Sequence, residues 1–561
     1  MNMKYKHILC LGTVMAIIAV TGCKKDFLNT KIDTFETPAD AATDRSTLFS
    51  FGNAFYTQLQ YGFTSLDNNL FASASDETQV TAPITNAVIY NQGGLNPNNN
   101  PEAGLYKTLY DGIRAANFFL SYSANGVQLL ALNRDTITDA VNYANDKQNL
   151  KWLQAEAHIA RAYYYMELIK RWGGVPIVTS TLQTTSNEYI PKSAYADVVT
   201  YLVAEIDNNK ANLQVNWKTS AYATYDGRFS LGSALAIKAR VLLYAASPLN
   251  NTTNDVTKWQ AAAAAARDVI NQTGLNLALN ATYGAYFMGN TPLTSAETIF
   301  AVRRPANNTI ETANYPIATP GGASGEAPSD NLVSSYEYIA AADPANPYNN
   351  RDPRLAASVV VNGSTWNGRT IDESPGGTDD LANANASKTG YYLKKFLTDN
   401  LNLVQGGTAQ NQWVVFRYAE ILLDYAEAMN EAYGPDAAPS GFTMTARQAL
   451  MAVRNRASTA LPSVATATTT VTFRDVLKHE RRVELAFEDH RYWDLLRWKD
   501  AQTVLNQPIL GVTVTKTGTN TFTYAQHTVT TRTFNTQNYL YPFPYAEIVN
   551  SQGTLQQNPG Y

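Results

Sequence analysis

A run of apolar residues with the spacing of one helix face is the feature that most constrains the fold. An apolar residue recurs every three or four positions in the series Leu150, Leu153, Ala157, Ala160, Tyr164 and Leu168. The run stops at Gly173-Gly174, ahead of Pro176, which is typical of a helix C-terminus. The same spacing spans Tyr418–Met429 and ends at Gly434-Pro435. Two long helices with one apolar face each require helical partners, so the sequence predicts a mainly α fold.

Five further segments carry helical periodicity with small Ala at many contact positions. They lie near Asp197–Leu213, Leu231–Ala246, Trp259–Ile270, Thr445–Ala457 and Phe473–Phe487. Their succession is similar to the helix pairs of tetratricopeptide repeats, although no strict repeat period is visible. The predicted scaffold therefore consists of irregular, tetratricopeptide-like helix pairs. Short strands are predicted near Thr298–Arg303 and Gly511–Thr533, where apolar and polar residues alternate.

Two segments between the helices have a different composition. The segment Thr309–Gln412 is rich in Gly, Asn, Ser, Thr, Pro and Asp, and Asn91–Pro101 holds five Asn between positions 91 and 100. Long polar connections inside a compact protein are either disordered or functional. Because these segments lie between strong helices, we expect ordered loops that form a large ligand-binding face on the helical scaffold.

The first residues predict export and a lipid anchor. Lys4, Lys6 and His7 precede an apolar run of 13 residues, Ile8–Val20. A helix that spans a bilayer needs about 20 residues, so residues 1–22 are predicted to be a signal peptide. The following Val20-Thr21-Gly22-Cys23 resembles the bacterial lipobox. Cys23 is therefore the predicted lipidation site, and residues 23–43 are the predicted lipid-anchored tether. The alternative is an ordinary secretory signal followed by a chance Cys.

Net charge and cysteine content limit the possible binding partners and the possible sources of stability. Removal of residues 1–22, which hold two Lys and no acid, takes the net charge from −4 to −6 and leaves Cys23 as the one cysteine. An internal disulfide is then impossible, so stability depends on a large core. The chain has no basic patch for nucleic acid or anionic lipid, and its membrane contact is expected through the anchor alone. The 34 Tyr residues suit both helix packing and stacking on sugar rings.

Familiar catalytic motifs are missing from the sequence. No nucleophile elbow, phosphate-binding loop, dinucleotide fingerprint, zinc-protease motif or EF-hand occurs, and the His residues lack metal-ligand spacing. We therefore predict a protein that is not an enzyme, has no metal site and needs no cofactor. The loop acids Asp372-Glu373 and Asp379-Asp380 leave open a carboxylate pair or a structural calcium ion, but solvated loop charge is the favoured interpretation.

Several motifs together resemble the SusD/RagB family. They are, in chain order, Cys23 with Asp26-Phe27-Leu28, Tyr110–Asn117, Tyr163–Gly174, Phe416–Ala428, Val453–Ala457, Glu480–Glu488, Arg491–Leu495, Arg497-Trp498, Tyr541–Pro544 and Gln557–Tyr561. The resemblance covers nearly the whole mature chain. It divides the chain into an N-terminal region, 44–250, and a C-terminal region, 251–561, which are expected to form one compact unit.

The resemblance implies a function and a location. Family members are lipid-anchored at the outer membrane, face the cell exterior, and lie over a SusC-like TonB-dependent transporter. Their cargo is usually oligosaccharide, and one branch handles peptides. The leading hypothesis is a nutrient-binding lipoprotein that captures oligosaccharide and passes it to such a transporter. Peptide capture, a surface glycan hydrolase and a lid without ligand affinity are the alternatives.

The resemblance also suggests ligand-binding residues. The family often has Trp four residues before the Tyr of its Tyr-x-x-Ile-x-x-x-Asn stretch, and this chain has Tyr106 there. Asp76 and Asn100 are predicted polar partners, and Tyr315 and Trp366 are predicted loop aromatics of the same face. The aromatic side chains of this platform, such as Tyr106 and Trp366, are expected on loops outside the core.

The charged C-terminal motif has a structural interpretation. Acidic and basic residues lie close together at helical spacing and are interleaved with apolar residues: Glu480, Arg481, Arg482, Glu484 and Glu488. The pair Glu480–Glu484 is the repulsive exception and requires an Arg nearby. We expect ion pairs between helices beside the core, where the loss of one partner leaves a buried charge unpaired.

Overall fold

The apolar run near residue 150 forms one long helix, Ala140–Trp172, in the computed structural model. Gly173 ends this helix at φ +70°, a conformation that side chains with a Cβ rarely adopt. The structure describes residues 45–83, 85–182, 189–218 and 221–561. The predicted signal peptide, Cys23 and the predicted tether, residues 23–43, lie outside these residues.

Helices dominate the described residues, as the sequence predicts. In chain order they are α1 Arg45–Ala54, α2 Ala87–Asn91, α3 Ala103–Tyr122, α4 Gly126–Ala131, α5 Ala140–Trp172, α6 Tyr195–Asn209, α7 Leu231–Ala246, α8 Val256–Ile270, α9 Tyr283–Tyr286, α10 Thr291–Thr294, α11 Thr309–Asn314, α12 Asp330–Val333, α13 Arg354–Ser358, α14 Tyr418–Tyr433, α15 Ala446–Arg454, α16 Thr470–Glu484, α17 Arg491–Trp498, α18 Ala501–Val504 and α19 Tyr545–Asn550.

The longer helices pack as a chain of neighbours. Helix α3 packs on α5, α5 on α6, and α7 on α8. Helix α8 also packs on α14, which in turn contacts α15 and α16. Apolar faces are buried along this series, and Ala side chains such as Ala262 and Ala266 allow close approach of α8 to its neighbours. The predicted tetratricopeptide-like scaffold is confirmed.

Strands are short and pair two by two. In chain order they are β1 Thr78–Val80, β2 Thr298–Val302, β3 Glu326–Pro328, β4 Val359–Val360, β5 Thr365–Trp366, β6 Arg369–Thr370, β7 Tyr392–Leu393, β8 Trp413–Arg417, β9 Ile509–Gly518 and β10 Thr521–Thr530. The antiparallel pairs are β1–β3, β2–β8, β4–β7, β5–β6 and β9–β10. The two predicted strand regions are therefore confirmed, and the second is a hairpin.

The polar segment between α11 and β8 is ordered and partly buried. It contains short helices and strands, and residues such as Trp366, Ile371 and Tyr392 have 0–1% of their surface exposed. The hydrophobic core continues from Leu48 to Leu555, so both halves of the chain contribute to it. The tail after β10 docks on this core through Tyr541 and Phe543.

Candidate functional site

The charged C-terminal motif forms a buried ion-pair network, as the sequence predicts. Arg354 Nη1 lies 2.6 Å from Glu480 Oε1 and 2.8 Å from Glu484 Oε2. Arg417 and Arg456 each place a nitrogen 2.7 Å from Glu484 Oε1. Burial raises the pKa of Glu484, but the three guanidiniums outweigh it and hold that pKa well below its ordinary value. The carboxylates of Glu480 and Glu484 therefore form ion pairs that link α16 to neighbouring parts of the fold.

Asp76 belongs to the same kind of network and not to an open ligand site. Its side chain is buried, and its Oδ1 accepts a hydrogen bond from Arg491 Nε at 2.8 Å. Its Oδ2 accepts from Arg482 Nη2 at 2.7 Å. Two guanidiniums compensate the cost of burying Asp76, and ligand binding by Asp76 stays a prediction.

Asn100 lies just before α3 and links the start of this helix to the C-terminal tail. Its Oδ1 accepts the backbone N–H of Glu102 at 2.9 Å, and its Nδ2 donates to the carbonyl of Pro542 at 3.2 Å. Both ends of the half-buried amide are thus engaged. A ligand would have to displace one of these bonds, so direct binding by Asn100 stays a prediction.

Tyr315 and Trp366 lie together in the core. Their ring centroids are 5.1 Å apart at an interplanar angle of 83°, and neither residue is exposed. The expectation that they are surface loop aromatics is wrong. The polar loops around them fold back on the body, so the rings stabilise the loops by packing.

The loop acids are also more buried than expected. Glu373 is 1% exposed, and neither of its carboxylate oxygens has a hydrogen-bond partner among the described residues. Asp379 is fully buried and pairs with Arg369 at 2.5 Å, while Asp372 pairs with Lys516 at 3.0 Å. The favoured interpretation as solvated charge is therefore wrong for Glu373 and Asp379. Within the described ranges, no group of three or more His, Cys, Asp or Glu side chains could hold a metal ion.

Tyr106 lies at the floor of a cleft of about 360 Å³, which we call the tyrosine cleft. It is 4% exposed and packs edge-on against Trp172 and Phe543, with ring centroids 5.0 and 5.8 Å away. The prediction that Tyr106 is a loop side chain outside the core is therefore wrong. Tyr110, one helical turn later, is half-buried, and its hydroxyl donates to the carbonyl of Pro176 at 2.8 Å.

The walls of the tyrosine cleft combine rings, aliphatic groups and charges. Tyr189 and the partly exposed Leu182 belong to the connection after α5, and the tail contributes Glu547. Lys107 and Asp111 form an exposed i, i+4 ion pair of 2.5 Å at the cleft. Burial raises the pKa of Glu547, and the nearby Lys107 acts in the opposite direction. The cleft therefore offers apolar contact together with donors and acceptors.

The five residues predicted from the sequence are not assembled into one site. Asn100 and Tyr106 lie near each other through the tail, Tyr315 and Trp366 form a separate buried pair, and Asp76 lies in the ion-pair network. Tyr110 lines the tyrosine cleft but is not among the five residues predicted from the sequence. Its position four residues after Tyr106 on one helix face was the signal that predicts it.

Comparison with known proteins identifies the chain. Stacked helix pairs around one core, with long ordered connections on another face, define a helical scaffold protein with tetratricopeptide-like architecture. Two family models match this chain: "SusD family" over residues 295–561, and "Starch-binding associating with outer membrane" over residues 26–243. The two matched ranges together take in most of the chain, which belongs to the SusD family.

Curated relatives and solved structures agree with this assignment. SusD-like protein P38 of Formosa agariphila is 26% identical over 64% of this chain and 68% of its own length. A SusD-like protein from Bacteroides fragilis has a TM-score of 0.75 at 23% identity, covering 94% of this chain and 100% of its own. A laminarin-binding SusD-like protein has a TM-score of 0.62 at 20% identity, covering 92% and 100%. These structures share the fold.

Within the described part of the chain, no helix combines the length and the apolar character that crossing a membrane requires.

Proposed function

We propose that this protein is a cell-surface nutrient-binding lipoprotein that captures oligosaccharide in the tyrosine cleft and passes it to a SusC-like TonB-dependent transporter. The observation that carries the proposal is the cleft itself, where the Tyr110 ring stands above the buried Tyr106 and polar side chains line the rim. Its volume of about 360 Å³ falls within the range of about 300–1,000 Å³ that is usual for small-ligand pockets.

Sugar rings suit such a surface. The C–H face of a pyranose packs on an aromatic ring, while its hydroxyls require hydrogen-bond partners. The half-buried Tyr110 and Tyr189 supply rings, and Lys107 and Asp111 supply polar groups at the rim. Tyr106 packs against Tyr110, with ring centroids 5.0 Å apart, and because it is only 4% exposed its main role is to hold the Tyr110 ring in place.

Family membership supports the cargo and the partner. The N-terminal family model is described as starch-binding and associated with the outer membrane, and one structural relative is described as binding laminarin. Handover to a transporter, attachment through Cys23 and exposure at the cell exterior rest on this membership and on the sequence motifs.

The test is calorimetric titration of the mature protein with a panel of neutral oligosaccharides and short peptides. Tyr110→Ala should weaken oligosaccharide binding by about 1–3 kcal/mol, because it removes the ring on which the sugar packs. Tyr110→Phe keeps the ring and should retain most of the affinity. Tyr338→Ala is the control, because Tyr338 is 40% exposed and lies outside the cleft.

The outcomes separate the alternatives. Melting curves establish that each variant is folded before its affinity is compared, and Tyr189→Ala provides a second variant at the rim. Saturable peptide binding without oligosaccharide binding would favour peptide capture. Release of shortened oligosaccharides by the purified protein would favour a hydrolase. Unchanged affinity in both Tyr110→Ala and Tyr189→Ala would remove the tyrosine cleft from the binding site.

A further inference from the structure

A second cleft lies between the N-terminal helices and the end of β2. Two neighbouring cavities, of about 50 and 460 Å³, make up this recess, and five residues border both of them: Asp226, Gly227, Arg228, Ala301 and Arg303. Helices α1 and α5 supply its other wall. We call this recess the arginine cleft. Its residues are distinct from those of the tyrosine cleft.

Four cationic side chains line the arginine cleft, and carboxylates neutralise only two of them. Arg228 pairs with Glu156 at 2.7 Å, and Arg303 pairs with Asp226. Lys218 donates instead to two backbone carbonyls, those of Ser295 and Thr298, at 2.7 and 2.8 Å. Carbonyl oxygens carry no net charge, and the carboxylate that acts on Lys218 electrostatically, that of Asp226, is already paired with Arg303.

Arg304 is the other uncompensated cation. It is exposed, and among the described residues no carboxylate lies within ion-pair distance of it. Its guanidinium stands over the ring of Tyr61, 5.8 Å from the centroid. A net positive recess in a chain with net charge −4 is a local reversal of sign, and it attracts anions.

Arg303 and Gly227 lie side by side in the wall of the arginine cleft. Arg303 Nε is shielded from solvent and has no acceptor among the described residues. Gly227 has φ +106°, and a Cβ at this position would lie 3.1 Å from Arg303 Nε. Gly227 therefore adds no further side-chain atoms between this buried donor and the cleft that Arg303 lines. An unsatisfied buried donor is costly, and an anionic oxygen would satisfy it.

Aromatic side chains complete the cleft. Tyr225 is 36% exposed, and the half-buried Phe49 and Tyr56 line the opposite wall. Guanidiniums bind planar or tetrahedral oxyanions in bidentate fashion, and aromatic rings pack on sugar C–H faces. The two features together match a sugar that carries a charged group.

We infer that the arginine cleft is a second ligand site, which binds a carboxylated or sulfated sugar residue of an acidic oligosaccharide. This inference rests on the proposed function, because it takes the cargo to be an oligosaccharide. It adds the chemical class of that cargo and a location separate from the tyrosine cleft.

The test compares three tetrasaccharide probes by calorimetric titration of the mature protein. The probes are tetragalacturonate, a sulfated carrageenan tetrasaccharide and the neutral maltotetraose, so the carboxylate and the sulfate are distinguished. Arg304→Gln should weaken binding of at least one acidic probe on the order of tenfold, the scale of one charge-assisted contact. Neutral binding should be unchanged. The affinity for the acidic probe should also fall as NaCl is raised, because salt screens the attraction.

A matched control removes one positive charge elsewhere. Lys388→Gln changes the net charge equally, and Lys388 is exposed, bonds only to the carbonyl of Ala384 and lines neither cavity. Arg304→Glu provides a second variant in the cleft and should abolish acidic binding there. Equal affinities of Arg304→Gln and Lys388→Gln for the acidic probes would overturn the inference, as would acidic probes that bind no more tightly than maltotetraose.

The failure of this inference differs from the failure of the proposed function. If a neutral probe binds and Tyr110→Ala weakens it, while Arg304→Gln leaves acidic binding unchanged, the arginine cleft is excluded and oligosaccharide capture stands. If no oligosaccharide binds at all, the proposed function fails, and this inference fails with it.

Discussion

At the scale of single residues, the surroundings of each buried carboxyl decide its charge. Glu77 and Glu484 are both at most 2% exposed. Glu484 lies among three guanidiniums, which favour its ionised form. Burial and then the neighbouring Asp76 raise the pKa of Glu77 to about 8, although the backbone N–H of Phe487 donates to it at 3.2 Å. At neutral pH Glu77 is therefore neutral, whereas Glu484 is charged.

The raised pKa of Glu77 predicts a pH dependence of stability. Between pH 4.5, the ordinary pKa, and about 8, the folded chain holds a proton that the unfolded chain releases. The stability contributed by this proton is full below pH 4.5 and is lost as the pH rises through 8. Glu77→Gln keeps a neutral side chain at every pH. It should therefore lose less stability than the wild type between about pH 5 and 8, by about 1–3 kcal/mol.

The measurement is a set of thermal melts of both proteins across this pH range. Asp475→Asn removes one exposed carboxylate and serves as the control for a general charge effect. Other raised pKa values, such as that of Glu326 at about 7, act in both proteins and cancel in the difference. Parallel pH profiles of Glu77→Gln and the wild type would contradict the assignment.

Single residues in the loops were the part of the site that the sequence could not place. Trp366 and Tyr315 lie in a segment whose composition is polar and aperiodic, so no pattern indicates which side of the loop faces the core. Their burial arises from contacts with distant elements. Trp366→Ala would now remove a buried ring at a cost of about 3–5 kcal/mol, so it cannot report on ligand binding.

At the scale of elements, periodicity predicted the helices well and their ends less well. The segment Leu231–Ala246 was predicted with its observed bounds, because Ser230 is a helix cap and the apolar pattern is continuous. The helix predicted at Phe473–Phe487 ends at Glu484 instead. Phe487 adopts a left-handed conformation with φ +66°, and no Gly or Pro beside it indicates this turn in the sequence.

Removal of the docked tail should lower the stability of the protein. Leu555 is 5% exposed, and Asn558 Nδ2 donates to the carbonyls of Trp172 and Tyr541 at 3.0 and 2.7 Å. Lys192 Nζ donates to Asn558 Oδ1 at 2.6 Å. Deletion of Leu555–Tyr561 removes all of these contacts. It should lower the free energy of unfolding by about 2–4 kcal/mol, and hence the Tm.

Two point variants refine this experiment. Asn558→Ala should reproduce part of the loss, because it leaves buried carbonyls without donors. Gln556→Ala should have almost no effect, because Gln556 is exposed and bonds only within the tail. A deletion variant that melts with the wild type would show that the tail does not support the body.

At the scale of the whole molecule, contacts between remote parts of the chain unite the two halves. Asp76 and Arg491 are 415 positions apart, and Asn100 and Pro542 are 442 apart. The sequence predicts that charged groups on helices will pair, but helical spacing says nothing about partners from another helix. The pairing partners could therefore be found only in the folded chain.

The last prediction concerns how this body is held at the membrane. The described body begins at Arg45, and the motif around Cys23 precedes it by a segment long enough to act as a tether. Acyl chains contribute about 0.8 kcal/mol per buried methylene, so several chains on one Cys provide firm attachment without a basic patch. Cys23→Ala should abolish labelling with a fatty-acid analogue and release the protein from the membrane fraction. Cys10→Ala is the matched control and should leave labelling intact, because Cys10 lies within the predicted signal peptide. Labelling that persists in Cys23→Ala would place the anchor elsewhere.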